Sequence, residues 1–145
     1  MKIQKIVKSA IEDTFAEYTV FNKSKEIIKD FITTILAYNT ATMFTSTGMT
    51  TLHREINASE DPAVIYSFLL DIKYKISLDL LELDIDSNIL FSAVLNGHTQ
   101  SLDDSNLMDD ESFELYKPVE VGGLDIVIYL LIQNKFKLIE ILKQL

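Results

Sequence analysis

The sequence predicts an all-α protein that forms a single domain. Apolar residues recur at steps of three and four along much of the chain, as on the buried face of a helix, and the alternation typical of strands is nearly absent. At 145 residues, of which 48% are hydrophobic, the chain is long enough to bury a core of its own. We therefore expect short helices joined by turns, in one domain over residues 1–145.

Two helices are predicted in the N-terminal segment, residues 1–44. The first carries an apolar stripe from Ile3 to Tyr18, and the second carries one from Ile27 to Leu36. Asn22 or Ser24 is a candidate N-cap for the second helix, because both side chains can accept a hydrogen bond from the first turn.

Further helices are predicted where start and stop signals flank apolar residues. Asp61-Pro62 favours a helix start, since Asp61 can cap the helix and proline has no N–H to lose in a first turn. Another helix should run from Asn88 to Gly97, before a loop from Thr99 to Glu111 that is rich in Asp, Ser and Asn. The chain should end in an apolar helix over Leu124 to Leu145, with a break near Asn134.

Three segments of the chain share a spacing that goes beyond hydrophobicity. In "GMTTLHREI", "DSNILFSAVLNGH" and "ESFELYKPVEVGG", a leucine (Leu52, Leu90 or Leu115) lies seven residues before Ser59, Gly97 or Gly122. The first and last segments are followed by the same apolar pattern, "VIYSFL" and "IVIYLL".

These motifs resemble the ankyrin repeat, a β-turn followed by two antiparallel helices. The resemblance covers residues 48–131 and implies a short, irregular ankyrin-like helical repeat stack. Residues 1–44 would then form an N-terminal helical cap, and residues 132–145 a C-terminal capping helix. Leu52 and Leu90 are 38 residues apart, and Leu90 and Leu115 are 25 apart, against a family period of about 33. We therefore expect an insertion around Asp71 to Leu83 and a middle repeat without a recognisable second helix.

The two histidines fall on positions that have structural roles in the repeat family. The resemblance implies that His53 fastens its turn through backbone hydrogen bonds, that Thr50 caps the following helix and that His98 is structural. The alternative for His53 is a general base beside Glu55, but no nucleophile lies at a recognisable spacing. We predict no catalytic residue, and hence no enzyme.

Metal and cofactor sites are not predicted either. Two histidines 45 residues apart, without any cysteine, are a poor zinc site. Asp84-x-Asp86-x-Asn88 is similar to the start of an EF-hand loop, but Ile89 and Leu95 occupy the positions of its glycine and its bidentate glutamate. The "VGGLD" stretch lacks a phosphate-binding pattern, so we expect no cofactor.

The negative charge is concentrated in one part of the sequence. The net charge is −9, and the window from Ile76 to Tyr116 holds ten acidic residues and no lysine or arginine. Such a field repels nucleic acids and anionic membranes and attracts basic proteins, although acidic residues also keep small proteins soluble. We predict a basic protein partner, no nucleic acid and no membrane, and a cytoplasmic location because the sequence has neither a secretion signal nor cysteine.

The predicted partner-binding residues lie in turns and in the acidic loop, where Leu107 and Met108 offer an apolar contact among the acids. A loop that only solvates the protein is the alternative. The predicted set is Asp84, Asp86, Asp103, Asp104, Leu107, Met108, Asp109, Asp110 and Glu111.

Two functions fit these features. The first is a stoichiometric inhibitor of a basic protein, such as an immunity protein or antitoxin that neutralises a nuclease or another toxin domain. The second is an adaptor or effector that binds a host or partner protein through an apolar face formed by Ile132, Phe136, Ile139 and Leu142.

Overall fold

The computed structural model describes residues 2–39, 46–86 and 124–145, which form six α-helices and no strand. These helices are α1 (Lys2–Tyr18), α2 (Asn22–Ile35), α3 (Ser46–Asn57), α4 (Pro62–Glu82), α5 (Leu124–Gln133) and α6 (Lys135–Gln144). The prediction of an all-α fold is confirmed. The predicted helix from Asn88 to Gly97 and the predicted loop from Thr99 to Glu111 lie outside the described residues.

The helices follow one another as three pairs, α1 with α2, α3 with α4, and α5 with α6, and the two members of each pair are in contact. Helix α4 lies at the centre, because it also contacts α1, α2 and α5. Helix α1 contacts α6 as well, and an ion pair joins Glu12 to Lys137 across them. This arrangement is consistent with the predicted helical stack, while membership of the ankyrin family stays a prediction.

The contact between α1 and α4 is built around an aromatic cluster. The ring of Phe68 is fully buried and meets the rings of Phe15 and Tyr18 edge to face, at centroid distances of 5.0 and 5.5 Å. The Tyr18 hydroxyl donates a hydrogen bond to Asp71 Oδ2 at 2.5 Å. Burial, and then this bond to a carboxylate, raise the pKa of Tyr18 well above its ordinary value of 10.0.

Helix α4 runs without interruption through residues 71–82, which form most of the region where we expected an insertion. These residues are helical because Ile72, Ile76 and Leu80 extend the buried stripe that Ile65 begins. A stripe that keeps its three- and four-residue steps gives the backbone no reason to leave the helix. The additional residues therefore lengthen one helix to 21 residues.

The C-terminal end of α4 is closed by a Schellman motif. Asp84 has a φ of 57°, in the left-handed region, and its N–H donates to the carbonyl of Leu81 at 3.0 Å. The N–H of Ile85 donates to the carbonyl of Leu80, also at 3.0 Å, and the Ile85 side chain packs against the core. Both bonds and the accompanying apolar contact are those that define the motif. Asp84 thus lies in a turn, as predicted.

The predicted caps of α2 and α4 do not form. Phe21, rather than Asn22 or Ser24, occupies the N-cap position of α2, and it makes no side-chain cap bond. Helix α4 starts at Pro62 as predicted, and Asp61 precedes it, but the Asp61 side chain makes no cap bond either. Packing of the apolar faces therefore contributes more to these helices than their capping does.

Helix α3 begins at Ser46, four residues before the predicted cap Thr50, so that prediction is wrong. The backbone at Gly48 is helical and lies in the first turn. One glycine costs a helix only about 1 kcal/mol relative to alanine, so it does not force the helix to start later.

Helix α5 is buried on all sides, with nine consecutive buried residues from Leu124 to Ile132. The break predicted near Asn134 is confirmed, since this residue separates α5 from α6. The Asn134 side chain donates to the carbonyl of Leu130 at 2.7 Å and closes the end of α5.

Candidate partner-binding surfaces

The acidic residues predicted to contact a partner are described in part. Asp84 and Asp86 follow the C-terminal end of α4, and both are exposed. The other predicted contacts lie outside the described residues, and they are Asp103, Asp104, Leu107, Met108, Asp109, Asp110 and Glu111.

The apolar face considered for the alternative function is smaller than the sequence suggests. Ile132 is 3% exposed and belongs to the core, so its place on this face is wrong. The reason is that α5 is enclosed on all sides, whereas α6 has one open side. Phe136 is 90% exposed and Ile139 is 40% exposed, while Leu142 is partly buried against the core.

A second exposed apolar surface lies along the outer side of α4, and sequence reasoning missed it. Leu70, Tyr74, Leu78 and Leu81 lie one above another on this side, and their exposures are between 44% and 69%. The sequence of α4 indicates such a surface, because it places large apolar residues around the whole circumference of the helix. A surface helix would carry them on one stripe only.

His53 lies at the junction of α3, α4 and α5. Its Nε2 is 2.8 Å from Asp125 Oδ1 on α5, and its Nδ1 is 3.5 Å from the Tyr66 hydroxyl on α4. The rings of His53 and Tyr66 are stacked, with a distance of 6.3 Å between their centroids. Tyr66 donates its hydroxyl proton to Asn57 Oδ1 at 2.9 Å. Asp125 is only 3% exposed.

This arrangement is suited to joining helices. A carboxylate accepts only, so the bond between His53 and Asp125 uses the Nε2 proton. A catalytic triad would need a nucleophile at Nδ1, and among the described residues the phenol of Tyr66 lies there. Burial and the charge of Asp125 raise the pKa of Tyr66, which keeps that phenol protonated and unreactive. The prediction that His53 bonds to the backbone of its own turn is corrected, since the contacts found are with side chains of other helices.

A cleft of about 240 Å³ opens between α2 and α3, beside the first turn of α4. Its floor is apolar, and each floor residue is at most 4% exposed. The floor consists of Ile27, Phe31, Leu52, Ile56 and Ile65. The cleft therefore reaches the surface of the core where two helix pairs meet.

The polar residues that line the cleft act as hydrogen-bond acceptors. Asp30, Glu55 and Glu60 are exposed, and no lysine or arginine is among the described lining residues. The hydroxyl of Thr34 donates to the Asp30 carbonyl at 2.9 Å, and that of Ser59 donates to the Ile56 carbonyl at 2.7 Å. Both hydroxyl protons are thus already used within the protein.

One carboxylate of the cleft, that of Glu55, accepts a hydrogen bond from within the protein. The hydroxyl of Tyr38 donates to Glu55 Oε2 at 3.0 Å. Burial, and then the bond to Glu55, raise the pKa of Tyr38 above its ordinary value. The phenol therefore remains a donor at neutral pH, and it fixes the orientation of the Glu55 carboxylate.

A search of residues 2–39, 46–86 and 124–145 found no group of three or more His, Asp or Glu side chains placed to hold a metal ion. No helix in those ranges is both long enough and apolar enough to cross a lipid bilayer.

Comparison with protein-family models, with curated proteins and with solved structures gives no significant match.

Proposed function

We propose that this chain is a non-enzymatic protein-binding module and a stoichiometric inhibitor of a basic partner protein. The concrete form is an immunity protein or antitoxin that neutralises a toxin domain such as a nuclease. A cytoplasmic location is part of this proposal.

The proposal depends on how charge is distributed along the chain. The window from Ile76 to Tyr116 holds ten acidic residues and no basic one, whereas the remainder holds 13 basic and 12 acidic residues. Asp84 and Asp86 belong to this window, and both are exposed where α4 ends. Negative charge that is concentrated in one segment of a chain speeds the encounter with a positively charged protein and disfavours acidic competitors.

The fixed end of α4 also supports binding. The Schellman motif at Asp84 sets the direction in which the chain leaves α4 at Asp84 and Asp86. Carboxylates that follow a well-defined helix end lose less conformational freedom when a partner binds.

The first experiment tests binding and stoichiometry. Basic proteins encoded next to this chain are expressed and mixed with it, and complexes are measured by light scattering after size exclusion. We expect a 1:1 complex, and the partner's activity should fall linearly to zero at one equivalent. Inhibition that is complete at a small fraction of one equivalent would indicate turnover and would contradict the proposal.

The second experiment tests the role of charge. Affinity is measured between 50 and 500 mM NaCl for the native chain and for a variant with Asp109, Asp110 and Glu111 changed to Asn, Asn and Gln. We expect affinity to fall with salt, roughly tenfold or more over this range, and to fall less steeply in the variant. Affinity that is independent of both salt and the three substitutions would remove electrostatic recognition.

An adaptor function is the second candidate, and the exposure of Phe136 favours it. A phenylalanine with 90% of its surface in water is a typical anchor for a protein partner. In that case Phe136→Glu would abolish binding while the acidic variant binds normally. The inhibitor proposal predicts the opposite pattern for these two variants.

A further inference from the structure

We propose that the cleft between α2 and α3 receives an arginine or lysine side chain of a basic protein partner. This inference deepens the proposed function and rests on it for the protein that supplies the side chain. It concerns a part of the surface other than the predicted acidic contacts.

The chemistry of the cleft determines the class of occupant. The described side chains that line it present carboxylate acceptors, and the hydroxyl protons of Thr34 and Ser59 are donated to backbone carbonyls. An occupant must therefore bring hydrogen-bond donors and positive charge. Guanidinium and ammonium groups are donors with no acceptor, whereas a phosphate or a carboxylate would meet only repulsion.

The shape of the cleft selects an unbranched side chain. Floor residues such as Phe31 and Ile56 are each at most 4% exposed, so the cleft offers only a small apolar surface, which a thin apolar stem can cover. Lysine and arginine have a flexible methylene stem that packs on apolar surface while the charged head stays near water. Arginine is favoured over lysine, because its planar fork can form two parallel hydrogen bonds with a carboxylate such as that of Asp30, Glu55 or Glu60.

The cleft lies apart from the predicted acidic contacts. Ile65 of the cleft floor lies near the start of α4, and Asp84 follows the other end of that helix. From Ile65 to Glu82 the helix rises roughly 25 Å. A basic surface about the size of a small domain spans this distance, so the cleft and the acidic segment can bind one partner together and can be changed separately.

The test uses a small probe and the intact chain. N-acetyl-arginine methylamide is titrated into the labelled protein, and amide shifts are followed by NMR. We expect saturable shifts at Thr34, Glu55 and Ser59 with a dissociation constant on the order of millimolar. The isosteric but uncharged citrulline compound should bind at least roughly fivefold more weakly, as should the arginine probe to the variant Asp30→Asn/Glu60→Gln.

The control variant is Glu26→Gln, which neutralises an exposed carboxylate on α2 outside the cleft. It should change the affinity for the arginine probe by less than about twofold, because charges exposed to water are screened. Equal binding of the arginine and citrulline compounds would overturn the inference, and so would shifts confined to residues outside the cleft.

The outcomes for the cleft and for the proposed function can be told apart. If the arginine probe fails to bind but a basic partner still forms a salt-sensitive 1:1 complex, the cleft inference is wrong and the inhibitor function stands. If the probe binds in the cleft but no basic protein forms a complex, the proposed function is wrong, and the occupant does not come from a basic protein partner.

Discussion

The hydrogen bond between His53 and Asp125 should contribute more to the stability of the fold than most of its other polar contacts. Asp125 is 3% exposed, the side chain of His53 is 14% exposed, and their atoms are 2.8 Å apart. Breaking a buried pair by removing one partner typically costs about 3–5 kcal/mol. The His53 side chain is partly exposed, so we expect the lower end, about 3 kcal/mol, for His53→Leu.

A double-mutant cycle isolates the pair from the rest of the site. His53→Leu, Asp125→Asn and the double variant are unfolded in urea at pH 7, with helix content as the signal. The coupling free energy should be about 1–3 kcal/mol. In thermal unfolding, a loss of 3 kcal/mol should lower the Tm by roughly 6–12 °C for a chain of this size.

The matched control is the ion pair between Glu17 and Lys75, which also joins two helices but is more exposed. Its atoms are 3.0 Å apart, and the Glu17 side chain is 57% exposed. Glu17→Gln should cost less than about 1 kcal/mol. A coupling below about 0.5 kcal/mol for His53 and Asp125, or a cost no larger than that of the control, would refute the reasoning.

Three further predictions concern the α4 helix and its contacts. Because the pKa of Tyr18 is raised, the folded protein keeps a proton that the unfolded chain releases near pH 10.0. The contribution of Tyr18 to the free energy of unfolding is therefore full below that pH and is lost as the pH rises above it. Urea unfolding at pH 9 and 11 should therefore show a loss of stability that is smaller in Tyr18→Phe, and an equal loss in both would contradict it. Phe68→Ala should cost about 3–5 kcal/mol in the same assay because the ring is fully buried, whereas the exposed control Tyr74→Ala should stay within about 0.5 kcal/mol. Asp84→Gly should stabilise the protein by about 0.5–1 kcal/mol because of its positive φ, and Asp84→Ala, which removes the same charge, should give no such gain.

Local patterns in the sequence predicted several helices well. The apolar stripes predicted α1 and α2, Pro62 predicted the start of α4, and Asn134 predicted the break before α6. Each of these signals acts within one or two helical turns. The caps were predicted less well, since a residue such as Asp61 can cap a helix but need not do so when packing holds the helix.

The candidate site depends on contacts between distant parts of the chain, and periodicity does not reveal them. His53 and Asp125 are 72 residues apart, and nothing in either local sequence indicates the other. The cleft needs the relative placement of α2 and α3, although its carboxylates Asp30 and Glu55 are visible in the sequence. The length of α4 was predictable from Ile72 and Ile76, but the repeat spacing made an insertion look more plausible.

The central position of α4 affects how the protein unfolds. Among the described helices, four pack against this one, so the loss of any of them exposes part of its apolar surface to water. Heat, urea and proteolysis should therefore report the same single transition, and forms shortened before residue 124 should be molten because the inner side of α4 loses its contact with α5.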